Sequence, residues 1–262
     1  MRIAITGGTG FVGRYLAERL RSDGHEVAVL SRRTGHGLDA GVDRLTNAVA
    51  GCEAIVHCAG INREIGDQTY AAVHVQGTKA IIAAARAAGV ERIVMLSFLR
   101  ARPDGPTSYH RSKWAAEELV RQSGPTHTIL KAGVIHGRGD HMLDHLSHAI
   151  LTLPLLATVG LTEKSIRPLA IDDLVDIIEA VLMKGRLSRQ TVAVTGPEEL
   201  LLSEAVRRVG RAVGRRPIVF PAPVFVHQVL ARLFEWTMRV PLVARAQVQM
   251  LSEGITQPLP YA

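Results

Sequence analysis

Apolar and polar positions along this chain fall into blocks that switch from strand-like runs to helical spacing and back. Met1 to Ile5 form a short apolar run that predicts a strand, and Arg14 to Arg21 predict the start of an amphipathic helix. Glu26 to Leu30 follow as a second apolar stretch, so that VAVLSRR reads as the second strand and its exit. HGLDAGVDRLTNAVAGC is too short for a long crossover helix plus a strong strand and predicts a compressed third-strand region. EAIVHCAG then predicts the fourth strand, with Cys58, Ala59 and Gly60 at its carboxyl end.

Val73 to Ala88 have helical apolar spacing, and Gly89 is placed to stop that helix. RIVMLSF predicts the fifth strand and RARPDGPTS a polar loop. YHRSKWAAEELVRQSG predicts a helix that opens at Tyr109, and Thr126 to Lys131 another short strand. HGRGDHMLDHL breaks this plan with a polar loop that enters a His- and Leu-rich helix. Ile166 to Ile171 predict a strand-like return, Asp172 and Asp173 cap a helix running to Met183, and Asp176 decorates its exposed side. QTVAVTG is a later strand, and Pro197 to Gly214 predict a basic amphipathic helix. Alternating strands and helices predict an α/β class: a Rossmann-type doubly wound parallel sheet with a small C-terminal substrate-side lobe. The expected division is a dinucleotide-binding core over 1–135, a lobe segment over 136–165, a return to the core over 166–196, and a mostly helical C-terminal lobe over 197–262.

The tail from Pro217 to Leu251 is rich in aromatic residues for this chain and interrupted by prolines. The prolines cut it into pieces too short to span a bilayer. That favours a roof over a substrate pocket or a contact with another subunit over a membrane rest. ITQPLPYA at the end reads as loosely structured.

Composition narrows the class. The 262 residues are 47% hydrophobic and 21% charged, which argues against extended disorder and allows a substantial core. Formal net charge is +7, from 31 Lys and Arg against 24 Asp and Glu, which suits anionic ligands such as a phosphorylated cofactor. No lysine-rich block or zinc-finger spacing supports a dedicated nucleic-acid role. Cys52 and Cys58 are the only cysteines. Cys58 lies in the apolar run AIVHCAG and is expected to be a buried thiol rather than a ligand or a disulfide partner. His141 and His145 share a helical face, but no glutamate completes a metalloprotease pattern, so no metal is expected and a structural role fits them, His136 and His148. With a strand starting at residue 2 and no long charge-free apolar run, no secretory leader is expected and the location is expected to be cytoplasmic.

Gly7, Gly10 and Gly13 sit between the first strand and the first helix. In such a turn one glycine permits the bend, one lets backbone approach a pyrophosphate, and one lets helix and strand pack closely. The free amides at the helix start then face the phosphates. The second strand ends in Ser31, Arg32 and Arg33 where an NAD site usually offers an acid to the adenosine ribose. Arginine cannot accept from ribose hydroxyls but pairs well with a 2'-phosphate, so NADP(H) is favoured and NAD(H) is left open, with Asp39 and Asp43 as acids that folding can bring near. Tyr109 and Lys113, four residues apart, point from one helical face. Lysine favours the phenolate and can hold a nicotinamide ribose, while tyrosine exchanges a proton with an alcohol or carbonyl as hydride moves to or from the cofactor. Ser97, where the fifth strand runs out, can hold the substrate oxygen.

With these residues in order, the chain resembles the short-chain dehydrogenase/reductase superfamily, particularly its extended and atypical members. The resemblance rests on GGTGFVG at 7–13, HCAG at 57–60, VHVQGT at 73–78, YHRSK at 109–113, KAGVIHGRGD at 131–140 and IDD at 171–173. The most similar branch is the NAD(P)-binding epimerase/dehydratase-like group, which includes proteins similar to the nucleotide-binding accessory subunit of respiratory complex I. The resemblance implies Gly7, Gly10 and Gly13 at the pyrophosphate, Tyr109 as acid/base and Lys113 on the nicotinamide ribose. It also implies an adenine-side role for the compressed third-strand region and substrate contacts from the carboxyl-terminal lobe. Independently of it, the small Cys58, Ala59 and Gly60 can admit the nicotinamide ribose side, and Phe11, Val12, Lys131 and Val134 join Arg32 and Arg33 as expected cofactor contacts. Three departures stand out: His74 where relatives often have Asn, Ala132 in place of a proline, and Phe98 and Leu99 after Ser97, which leave Ser97 or Ser108 as the hydroxyl partner. The expected function is an oxidoreductase or epimerase/dehydratase-like enzyme acting on an unidentified small alcohol or carbonyl. The rival is a catalytically weak or inactive dinucleotide-binding sensor or assembly protein contacting a respiratory or membrane-associated partner; on either reading a homo-oligomer is an open expectation.

Overall fold

The computed structural model describes residues 1–237, 245–254 and 256. In chain order the first elements are β1 (Arg2–Thr6), α1 (Phe11–Ser22), β2 (Glu26–Leu30), α2 (Val42–Val49), β3 (Ala54–His57) and α3 (Gly77–Ala87). A wide π turn, Ala71–Gln76, leads into α3. There follow β4 (Arg92–Phe98), α4 (Ser108–Arg121), β5 (Thr126–Ala132), β6 (Ile135–His136), α5 (His141–Thr152), β7 (Leu155–Val159), β8 (Ser165–Ile166) and β9 (Leu169–Ala170). The chain continues through α6 (Ile171–Lys184), β10 (Gln190–Val194), β11 (Leu200–Leu201), α7 (Leu202–Ala212), β12 (Ile218–Ala222), α8 (Val224–Thr237) and α9 (Arg245–Glu253).

Two compact units result. The first joins Met1–Ala132 to Ile171–Val194. Its six-stranded sheet has the order β10-β5-β4-β3-β1-β2, and every pairing is parallel. Strands buried on both faces need apolar residues at successive positions, and β3 supplies Ala54, Ile55 and Val56, all fully buried. Side chains alternate across the sheet. Ala4, Ile55, Ile93, Met95 and Ile129 pack with Leu45 and Val49 of α2, Ile81 and Ala85 of α3, and Ala116 and Val120 of α4. α1 packs against α6, where Leu16, Leu20, Leu174 and Ile178 are buried and Arg19 reaches Asp176 at 2.9 Å. The sheet is therefore doubly wound, as the alternation predicts.

Two expectations need correction. No strand forms between β2 and β3, so EAIVHCAG is the third strand and β2 is the sheet edge. The intervening stretch commits Leu38, Leu45 and Val49 to the α2 and α3 core, leaving no period-2 run to extend the sheet. Helix α7 begins at Leu202 rather than Pro197, because Leu200 and Leu201 pair antiparallel with Ile166 and Ser165. Both cysteines are free, as expected: Cys52 is buried, and Cys58, just past the end of β3, is half-buried as a residue while burial pushes its thiol up to about 12.

The second unit comprises Gly133–Ala170 and the described residues from Thr195 to Thr256. Three two-stranded ribbons organise it: β6 parallel to β9, β7 parallel to β12, and β8 antiparallel to β11. Glu163 ties it internally by accepting from Ser203 Oγ at 2.7 Å and Thr158 Oγ1 at 3.3 Å. In the aromatic tail, the structure forms β12, α8 and α9; residues 238–244 and the ending ITQPLPYA, apart from Thr256, lie outside the described residues. Among the described residues no helix is long and apolar enough to cross a membrane.

Candidate active site

The bend between β1 and α1 depends on the absence of side chains. Gly7 has φ +66°, and a Cβ there would stand 2.8 Å from Ala59 Cα, so the ends of β1 and β3 touch backbone to backbone. A Cβ on Gly13 would collide with the Gly7 carbonyl and stand 2.6 Å from Gly8 Cα. Gly10 N–H closes the turn onto the Gly7 carbonyl at 2.8 Å. Gly10 is the N-cap of α1, yet no side chain caps the helix, which leaves its first amides for an external acceptor. Phe11 and Val12 are half-buried in that first turn, and Phe11 packs edge-on against Tyr15 at 5.7 Å. The cradle thus has the shape and donors a pyrophosphate requires.

At the end of β2, Ser31 and Thr34 cap a short 3₁₀ turn reciprocally and display Arg32 and Arg33. Both arginines are exposed, and neither makes an ion pair among the described residues. Asp39 and the stem of Arg32 both lie against Gly37, so that acid does approach the β2 exit.

Past β3, a Cβ on Gly60 would stand 3.5 Å from His74 Nε2 and 3.8 Å from Lys113 Nζ. Gly60 therefore borders the α4 face that carries Tyr109 and Lys113, both buried. Lys113 donates to the Leu96 carbonyl at 3.0 Å; burial pulls its pKa down to about 8, against the opposing pull of Glu117. Tyr109 is ringed by Phe98, Tyr70 and His74 at 5.3, 5.5 and 5.6 Å. Its hydroxyl makes no hydrogen bond among the described residues. Burial, with Tyr70 adding to it, pushes the phenol's pKa up. The expectation that Lys113 favours the phenolate is not met, because desolvation dominates and the ammonium is turned to a carbonyl.

Ser97 and Lys131 are committed elsewhere. Ser97 Oγ donates to Glu117 Oε1 at 2.5 Å, and Lys131 Nζ lies 3.5 Å from Glu117 Oε2 and donates to the Ala101 carbonyl at 2.8 Å. Arg121 completes the cluster, 2.8 Å from Glu117 Oε2 and stacked 4.7 Å over Trp114. Glu117 and Lys131 are fully buried; removing Glu117 would strand the Lys131 ammonium, whereas removing Lys131 would leave Glu117 paired with Arg121. Glu117 was missed in the sequence although the signal was present: 109, 113, 117 and 121 continue one helical face. Ser108 is exposed in the first turn of α4. Val134 belongs to the second unit, where its carbonyl accepts from Leu169 N–H at 2.8 Å. Among the described residues no group of three or more His, Cys, Asp or Glu is placed to hold a metal.

This arrangement can be set beside known proteins. The sequence profile described as "NAD dependent epimerase/dehydratase family" matches residues 3–194. The chain belongs to that family. Within the extended short-chain dehydrogenase/reductase superfamily, it is related to the alpha subcomplex subunit 9 branch: the mouse mitochondrial protein "NADH dehydrogenase [ubiquinone] 1 alpha subcomplex subunit 9" is 27% identical over 94% of this chain and 70% of its own length. "Ceramide reductase" of Caulobacter vibrioides is 33% identical over 62% of this chain, which spans 55% of that protein. Among solved structures, a dTDP-4-dehydrorhamnose reductase from Bacillus anthracis in complex with NADP superposes with TM-score 0.72 at 18% identity, covering 85% of this chain and 84% of that one. MoeE5 in complex with UDP-glucuronic acid and NAD does so with TM-score 0.71 at 20% identity, covering 85% and 86%. These two likenesses concern the fold. The epimerase/dehydratase family as a whole is NAD(P)-binding, and its relatives include both NAD and NADP complexes.

Proposed function

We propose that the chain is an NADP(H)-dependent oxidoreductase or epimerase-like enzyme acting on an alcohol or carbonyl. One observation carries the reading: Gly60, at the end of the cofactor-side strand, borders Lys113, and Tyr109 stands one helical turn away with an unengaged hydroxyl. When bound, the dinucleotide supplies or removes hydride. The glycine cradle and the α1 amides hold its pyrophosphate, Arg32 and Arg33 pair with the 2'-phosphate, and Lys113 holds the ribose beside Gly60. Tyr109, protonated at neutral pH and made a weaker acid by burial, donates its proton to a carbonyl oxygen in the reducing direction.

A second reading, a dinucleotide-binding assembly protein without turnover, is favoured by Ser97, whose hydroxyl is spent on Glu117 rather than offered to a substrate. The mouse relative's name places that protein in a respiratory subcomplex. NADPH oxidation screened against keto lipids and 4-keto nucleotide sugars separates the two. Turnover that falls by about 100-fold or more in Tyr109→Phe supports the enzyme. Turnover unchanged in Y109F removes Tyr109 as the acid, and tight NADPH binding with no turnover supports the assembly reading.

A further inference from the structure

Five polar side chains beside the Tyr109 and Lys113 pair, those of Thr6, His57, Thr78, His74 and Ser112, are buried and joined in two runs. Their donors and acceptors can be assigned. Thr78 Oγ1 spends its one proton on the His74 carbonyl at 2.5 Å, so it must accept from His57 Nε2 at 2.9 Å. A neutral His57 then has a bare Nδ1, which accepts from Thr6 Oγ1 at 2.7 Å, and Thr6 in turn accepts from Ala59 N–H at 3.3 Å. In the second run Ile61 N–H donates to His74 Nε2 at 3.1 Å, which puts the His74 proton on Nδ1. That proton goes to Ser112 Oγ at 2.9 Å, and Ser112 donates its own to the Tyr109 carbonyl at 2.9 Å. The two histidines are thereby opposite tautomers. Burial, reinforced by the Lys113 charge, keeps both neutral, His57 down to about 3 and His74 down to about 2.

Core filling alone would ask only for a ring. The His74 ring does stack on Tyr70 at 5.4 Å and meet Tyr109 edge-on, but both its nitrogens are also used, with opposite polarity, on the two segments that carry the proposed chemistry. One nitrogen holds the residue after Gly60 and the other, through Ser112, holds the first turn of α4. The backbone widens into the π turn at this residue, a device often found at functional sites.

We infer that His74 is a positioning residue, a neutral imidazole that accepts from the β3 exit and donates toward α4, fixing Gly60 against Lys113 and Tyr109. The inference rests on the reading that these residues border a dinucleotide. A hydrocarbon ring cannot do this job, whereas a short amide can both donate and accept.

The test combines ¹⁵N-histidine NMR at neutral pH with NADPH affinity. The spectra should show His74 protonated at Nδ1 and His57 at Nε2. His74→Phe should weaken NADPH binding roughly tenfold, and His74→Asn should return it to within about threefold of the unchanged protein. If H74F fails to fold, Ser112→Ala takes its place, with a few-fold loss expected. NADPH bound equally by the unchanged protein and H74F (or S112A), no recovery in H74N, or a His74 proton on Nε2 overturns the inference alone. If the unchanged protein binds neither NADPH nor NADH, the dinucleotide reading itself fails and takes this inference with it.

Discussion

Lys113 shows how much of this site is decided by desolvation of single groups. Its ammonium is buried with one backbone carbonyl as its direct hydrogen-bond acceptor, and its pKa in the fold is down to about 8 from 10.5. Below the lower value, folded and unfolded chains are both protonated, and the fold carries the cost of the buried charge. Between about 8 and 10.5 the unfolded chain binds more protons than the folded one, so stability rises with pH through that window and the gain is lost again as pH falls through about 8. Lys113→Met has no such titration. The difference in urea midpoint between the natural protein and K113M should therefore shift in favour of the natural protein as pH is raised across the window, since other groups cancel. Parallel midpoints would mean that the lysine is solvated after all.

At the scale of elements, the bend between β1 and α1 couples packing to binding. Gly13 brings α1 onto the Gly7 carbonyl, so a methyl there must push helix from strand; Gly10, on the open side, meets only the Gly7 carbonyl, at 3.1 Å. Gly13→Ala should lower unfolding stability by about 1–3 kcal/mol in urea titration, with NADPH affinity falling too. Gly10→Ala should cost less stability and act mainly on NADPH affinity. Equal stability losses in G10A and G13A would argue against this division of labour. The bend was legible because glycine spacing between a strand and a helix is a local pattern, and so were β4 and α4, whose periods run over seven and fourteen residues. The two-residue strands β6, β8, β9 and β11 are too short to show a period. The missing third strand had a local trace in the compressed stretch, but its outcome depended on Leu38 and Leu45 finding α3. The orientation of Ser97 was hidden for a different reason: a strand exit does not reveal which of two partners a hydroxyl takes, and Glu117 lies twenty residues away.

Across the whole molecule, the excess of positive charge acts on any anionic ligand, while Arg32 and Arg33 act only on what reaches the β2 exit. The formal +7 attracts NADH and NADPH alike over long range. The 2'-phosphate adds charge beside two exposed arginines that have no competing ion pair among the described residues. Such exposed pairs are screened by salt: the screening length falls from about 10 Å near 0.1 M to about 3 Å near 1 M. NADPH affinity should therefore fall more steeply with salt than NADH affinity. Arg32→Ala combined with Arg33→Ala should bring the two slopes together and remove the preference for NADPH, while NADH binding, which depends on the glycine cradle and α1 amides, changes little. Calorimetric titration of both nucleotides at several salt concentrations reads all four slopes. If the double variant keeps a steep, NADPH-specific slope, the 2'-phosphate is held by other cations, and the β2 exit is only a charged edge of the sheet.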